Sequence, residues 1–269
     1  MSQILLVHLV RKSNGLGPFR IFLESYKACH AGVNHDLLII FKGFGSGETL
    51  EHEELLKEMP HFACHVPDIG FDITPYFYAV RNFEYPYFVF LNSFSIILCD
   101  GWLEKMYAHV TRPSVGAVGA TGSWESMCSA PYLGFARDIL IRTRQYSLRR
   151  HFPAFPNCHL RSNAFMAARE VLLAIQMPTI FGKEDAHKFE SGRNSFTRQI
   201  FSMNRKVLVV GCDGKSYEKE EWPSSYTFRQ KSQHNLLVAD NQTDAYLSAS
   251  SEMRRNFSLA AWGKASEPD

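Results

Sequence analysis

Residues 87–91, Tyr-Phe-Val-Phe-Leu, are an uncharged run of aromatic and β-branched side chains. A run of this kind reads as a strand buried on both faces, the pattern of a parallel sheet with helices on each side. A second apolar run, residues 96–98, follows at once, and Asn92-Ser93-Phe94-Ser95 lies between the two. The turn Cys99-Asp100-Gly101 then opens a helix at Trp102. In open α/β sheets ligands bind beyond the carboxyl ends of the strands. The polar interruption is therefore either an active-site position or a plain strand-loop connection.

The rest of the chain alternates in the same way. Residues 4–10, 37–41, 62–66, 115–120 and 207–210 read as strands, and 19–31, 48–59, 102–110 and 183–203 as helices. Further helices are expected to end near Phe83, to span 131–151, to run through Ile175 and to close the chain over 244–262. Strands alternating with helices imply an α/β fold with a mostly parallel central sheet flanked by helices. Gly15-Leu16-Gly17 after the first strand lacks the third glycine and the acidic ribose ligand of a dinucleotide fingerprint, so it reads as a flexible turn.

Composition narrows the classes. At 269 residues one α/β domain with elaborations is expected. A formal net charge of +2 argues against broad nucleic-acid binding, so any basic function is local. The cysteines at 29, 64, 99, 128, 158 and 212 show no C-x-x-C pair, and reduced cytosolic thiols are the simplest reading. The first ten residues lack the basic start and length of a signal peptide, and no stretch is long enough to span a bilayer. A soluble, cytoplasmic protein is expected.

Buried strand, polar tetrapeptide, short apolar run and Gly101-Trp102-Leu103, in that order, resemble the centre of the GT-A fold nucleotide-sugar glycosyltransferases, inverting and family-2-like. The resemblance covers residues 1–215 in order, with a basic helical insertion near 130–152, and leaves 216–269 as an extension packing on the same domain. It implies a GT-A-like sheet and a nucleotide-diphosphate sugar donor. Where that family carries an Asp-x-Asp motif for a divalent metal, this chain has only Asn92, Ser93, Phe94 and Ser95. Mg or Mn is therefore not expected as a cofactor, because hard cations need carboxylates.

The resemblance also nominates residues. His8, Arg11, Lys42, Asp68, Asn92, Ser93, Ser95, Arg161, Asn163 and Arg193 are candidate donor contacts. Lys42 is alternatively a solvated strand-end lysine, and Asp68 alternatively a helix cap. Arg193 falls in the stripe between Phe189 and Phe196 of the expected 183–203 helix, where a guanidinium needs an anion: an internal carboxylate or the donor diphosphate. Arg229 or Lys231 in the extension could also reach phosphate. Asp185, assisted by Glu184, is the expected general base; the bland alternative is that both acids complement a helix dipole. Trp124 and Glu125 are candidate acceptor contacts, Trp124 being either a sugar-stacking platform or a core residue.

The expected function is transfer of a sugar to a saccharide or lipid-linked glycan in bacterial surface-polysaccharide assembly. The alternative is an inactive GT-A-like domain that binds a glycan or a protein. A nucleotidyltransferase fits less well, because the first strand lacks a long Gly-rich loop with Arg and Lys. The 130–152 helix carries Arg137, Arg142, Arg144, Arg149 and Arg150 opposite an aromatic face. That helix is either a solvated basic face or a peripheral contact with the inner face of the membrane.

Overall fold

The computed structural model describes residues 2–128 and 147–265. The chain begins with β1 (Ile4–Arg11), α1 (Gly17–Ala28), β2 (Asp36–Lys42), α2 (Leu50–Leu56), β3 (Phe62–Val66) and α3 (Ile73–Asn82). Next come β4 (Tyr87–Leu91), β5 (Ile96–Ile97), α4 (Trp102–Val110), β6 (Val115–Gly119) and β7 (Gly122–Ser123). After the undescribed residues follow β8 (His159–Leu160), β9 (Ala164–Ala168), α5 (Arg169–Ala174), α6 (Lys183–Ser191) and α7 (Phe196–Ser202). The chain closes with β10 (Lys206–Val210), β11 (Ser216–Tyr217), β12 (Val238–Ala239), α8 (Asn241–Leu247) and α9 (Ser251–Trp262).

Eight strands form the central sheet in the order β11-β10-β6-β9-β4-β1-β2-β3. β1 is parallel to both β2 and β4, β2 to β3, and β10 to β6. This is the expected mostly parallel α/β sheet flanked by helices. Two strands depart from it: β9 lies antiparallel between β4 and β6, and β11 is antiparallel to β10.

Strand period two explains why the central strands lack a polar face. Along β1, Leu5, Val7 and Leu9 enter one core with Tyr76, Phe77, Phe189 and Phe196. Ile4, Leu6 and Val10 enter the other, with Phe19, Phe22, Trp102 and Met106. Among the described residues no helix is long and apolar enough to cross a membrane.

Two expected helices are broken. The stretch 183–203 divides because Gly192 is extended (φ −75°, ψ −179°) and Ser195 restarts a helix by accepting the Arg198 amide. The closing stretch divides between α8 and α9, where Ser250 caps the second helix through the Met253 amide. Most of the expected basic helix, with Arg137, Arg142 and Arg144, lies outside the described residues; Arg149 and Arg150 lie in the described part.

The segment after residue 215 is tied to the rest of the chain. β12 pairs with β5, Trp124 N donates to Ala261 O at 3.0 Å, and Arg161 pairs with Asp240 at 2.8 Å. Trp222 is fully buried beside Gly122, where a Cβ would come within 2.6 Å of the indole. A glycine is required there by that close approach.

Candidate functional site

From β1 the chain moves to β2 and then β3 on one side, and β4 returns to the other side of β1. The carboxyl ends of β1 and β4 therefore flank a topological switch point, where an open α/β sheet leaves a crevice for ligands. Arg11 ends β1, in register with Lys42 at the end of β2, and Asn92 follows β4.

Around Arg11 a compact charged corner is built. Arg11 and Lys42 approach the same oxygen, Asp68 Oδ1, at 3.1 and 3.2 Å. Lys42 Nζ also donates to Phe71 O at 2.7 Å. The Lys42 side chain is 1% exposed and Asp68 49%, so the buried cation is reached from solvent through the carboxylate. Burial draws the Lys42 pKa below the ordinary lysine value, against the hydrogen bond it donates to Asp68, which supports the charge. Burial pushes the Asp68 carboxyl up, but hydrogen bonds to Lys42 and Arg11 together hold it below its ordinary value. Asp72, one residue beyond Phe71, is raised by burial; the charges of Lys42 and Arg11 oppose this and that of Glu190 adds to it.

At the end of β4 the chemistry is neutral. Asn92 Oδ1 accepts from Phe94 N at 3.0 Å and Ser95 Oγ at 3.2 Å, which closes the 92–95 turn on itself. Asn92 N donates to Asn163 O at 3.0 Å, and Thr121 Oγ1 donates to Asn163 Oδ1 at 2.6 Å. Asn92, Ser93, Ser95 and Asn163 thus gather at one point. Among the described residues Ser93 Oγ and Asn163 Nδ2 are buried without a hydrogen-bond partner. Such orphans are uncommon in folded proteins, and a water or a ligand is one way to complete the set.

Thr121 links Asn163 to Arg161, which borders a cleft of about 350 Å³ together with Ser123, Glu125, His159, Glu190 and Arg229. Arg161 donates to Thr121 Oγ1 at 3.3 Å, pairs with Asp240 and lies 4.3 Å over the Phe228 ring. Arg229 pairs with Glu125 at 3.0 Å. His159 Nδ1 donates to Asn157 O at 2.7 Å, since a carbonyl can only accept, and burial lowers the pKa of the ring against the charge of Glu190. Glu190 Oε1 accepts both from Ser162 N, at 2.7 Å, and from Ser162 Oγ, at 3.0 Å.

Five of the nominated residues lie elsewhere. His8 is fully buried, its ring stacked 3.6 Å from that of Phe22 under α1, with no path to the cleft. Arg193 is exposed and donates to Arg149 O at 2.9 and 3.2 Å, because the helix break at Gly192 removes it from the Phe189–Phe196 stripe. Asp185 caps the start of α6, its Oδ2 accepting from Gly182 N and Phe181 N, and those backbone bonds hold its carboxyl below the ordinary value. Glu184 pairs with Lys188 at 2.9 Å. Trp124 packs between Phe155 and Trp262 and donates to Lys219 O at 3.1 Å, an anchoring arrangement for the C-terminal segment.

Glu190, His159, Asp72, Thr121 and Asp240 were not among the residues singled out in the sequence. A signal existed for the first: Lys183, His187 and Glu190, spaced four and three apart, share one helical face, and all three line the cleft.

No family model matches this chain, and no curated protein matches it. Among solved structures it is similar to the mannosyltransferase PcManGT from Pyrobaculum calidifontis in complex with GDP-Man and Mn2+, at 14% identity and a TM-score of 0.49, over 77% of this chain and 54% of that one. It is also similar to S. aureus TarS 1-349, at 14% identity and a TM-score of 0.47, over 77% of this chain and 58% of that one. The chain spans little more than half the length of either structure.

Proposed function

We propose that this chain is a glycosyltransferase that takes its sugar from a nucleotide-diphosphate donor and passes it to a saccharide or lipid-linked glycan. One observation carries the reading. At the switch point of the sheet lie the charged Arg11-Lys42-Asp68 corner and the neutral 92–95 turn, and Asn163 beside that turn is joined through Thr121 to Arg161 in the wall of a cleft holding carboxylates and arginines. In this reading the nucleoside occupies the charged corner, with Asp68 as acceptor for its N–H or O–H groups. The diphosphate lies at the turn, where Ser93 Oγ and Asn163 Nδ2 are donors without partners. The sugar and acceptor meet in the cleft.

A divalent cation fits this turn poorly. Asn92 Oδ1 already accepts two hydrogen bonds, and what remains are serine hydroxyls, with no carboxylate to neutralise a hard cation. Titration calorimetry with UDP and GDP is expected to give the same affinity with and without chelator; a large loss on chelation would remove this part of the reading. Lys42→Met removes the buried cation and leaves Asp68 to Arg11 alone. It should weaken the preferred nucleotide about tenfold or more, about 1.4 kcal/mol or above. An unchanged affinity would move the nucleoside out of the corner.

An inactive GT-A-like domain that binds a glycan or protein is the second reading. The carboxylate-free turn and the engagement of Asp185 and Glu184 in helix capping and pairing favour it. Sugar transfer from a panel of nucleotide sugars to glycan acceptors separates the two, since the second reading expects none.

A further inference from the structure

An acceptor hydroxyl becomes a nucleophile only when a positioned base accepts its proton as it attacks. Three acids near the site are committed elsewhere. Asp185 accepts from the Phe181 and Gly182 amides, Glu184 pairs with Lys188, and neither bounds the cleft. Glu125 bounds it, but its Oε2 holds Arg229 at 3.0 Å. Glu190 differs from all of these. It forms part of the cleft wall and has no salt bridge among the described residues. A single oxygen, Oε1, takes both donors of Ser162, and Oε2 has no hydrogen bond among the described residues.

We propose that Glu190 is the general base of the transfer, with Ser162 as the residue that positions it. This rests on the glycosyltransferase reading above. Anchoring one carboxylate oxygen through a backbone N–H and a hydroxyl fixes the rotamer of a flexible side chain, the pre-organisation that a proton acceptor needs. In the step itself Oε2 takes the acceptor O–H proton, and the acceptor oxygen forms its bond to the anomeric carbon. The bond from that carbon to the diphosphate oxygen breaks, and its electron pair leaves with the nucleoside diphosphate. The Glu190 proton then passes to solvent. His159 stands on the same wall with a neutral ring whose Nδ1 proton is given to Asn157 O, so its Nε2 carries a lone pair. It is the competing acceptor, and the test must separate the two.

The test uses the full chain. Glu190→Gln keeps the shape and an oxygen for Ser162, so it should lower the transfer rate about a hundredfold or more while UDP or GDP affinity stays within about threefold of the parent. Ser162→Ala should lower kcat with little change in KM, and Glu190→Asp should recover part of the rate that Glu190→Gln loses. The inference is overturned if Glu190→Gln transfers within about threefold of the parent, or if it loses nucleotide binding and thermal stability together with transfer. A hundredfold loss confined to His159→Asn would overturn it in favour of the imidazole. A parent protein that binds no nucleoside diphosphate and transfers no sugar would remove the glycosyltransferase reading, and the role of Glu190 with it. A parent that transfers alongside an equally active Glu190→Gln removes the inference alone.

Discussion

Acidification from pH 7 should destabilise this protein steeply, and His8→Leu should remove a defined part of that loss. His8 has no exposed surface, and neither ring nitrogen has a partner among the described residues. Burial lowers its pKa from 6.5 to about 3. The unfolded chain therefore binds a proton near pH 6.5 that the folded chain refuses until about pH 3. The stability linked to His8 is fully present above pH 6.5 and is lost as the pH falls, at about 1.4 kcal/mol per unit and about 5 kcal/mol in all. Burial lowers His35, His52 and His159 as well, so their loss has the same sign. The part belonging to His8 is the difference between parent and His8→Leu in urea unfolding at pH 7, 6 and 5. At pH 7 the variant should be within about 1 kcal/mol of the parent or more stable, because leucine removes two unpaired polar atoms from an apolar stack. Parallel pH profiles for the two proteins would show that the ring is protonated or hydrated inside the fold.

His8 also shows what the sequence could and could not reveal. The strand carrying it was legible because apolar residues flank the histidine on both sides, and Tyr87–Leu91 was legible as an uncharged apolar run. Which way the ring faces is set by its distance in register from Arg11, the strand end, and by the arrival of Phe22 above it. Arg11, Lys42 and Asp68 were nominated through the family resemblance, and the structure places them at or just past strand ends, where an open α/β sheet binds ligands. The antiparallel β9 could not be foreseen: Ala164–Ala168 has the composition of any buried strand, and its direction follows from the path of the chain outside it.

Which carboxylate of α6 borders the cleft was not legible in the sequence for a similar reason. Asp185 and Glu190 are five residues apart, about 140° around a helix. The packing of Phe189 into the core fixes which of those directions meets the cleft, and that packing depends on Phe77 and Phe196, distant in sequence or beyond the Gly192 break. The pairings of the C-terminal residues, Arg229 with Glu125 and Asp240 with Arg161, join positions 104 and 79 residues apart, a span that no local pattern encodes.

Asp240 shows how much rests on that return. Its carboxylate does two jobs with two oxygens: Oδ2 binds Arg161 at 2.8 Å, and Oδ1 caps α8 by accepting from Gln242 N at 3.1 Å and Thr243 N at 3.0 Å. The pair is nearly dry, the two side chains being 12% and 2% exposed, so the guanidinium has no ready substitute in water. Deleting one partner of such a pair leaves an uncompensated buried charge and costs about 3–5 kcal/mol, and loss of a helix cap adds to this by about 1 kcal/mol. Asp240→Ala is therefore expected to lower stability by about 4 kcal/mol, read as a shift in the urea midpoint at constant slope. Asp240→Asn keeps an oxygen for the cap but not the charge, so it should retain the capping part and lose most of the rest. The damage should extend to function, because Arg161 reaches Thr121 and the Phe228 ring from the position that Asp240 holds. Under the glycosyltransferase proposal, transfer should fall in both variants at temperatures where both remain folded. If Asp240→Ala were within about 1 kcal/mol of the parent, Arg161 would have to find another anion or reach solvent, and the cleft wall it forms would be movable rather than fixed.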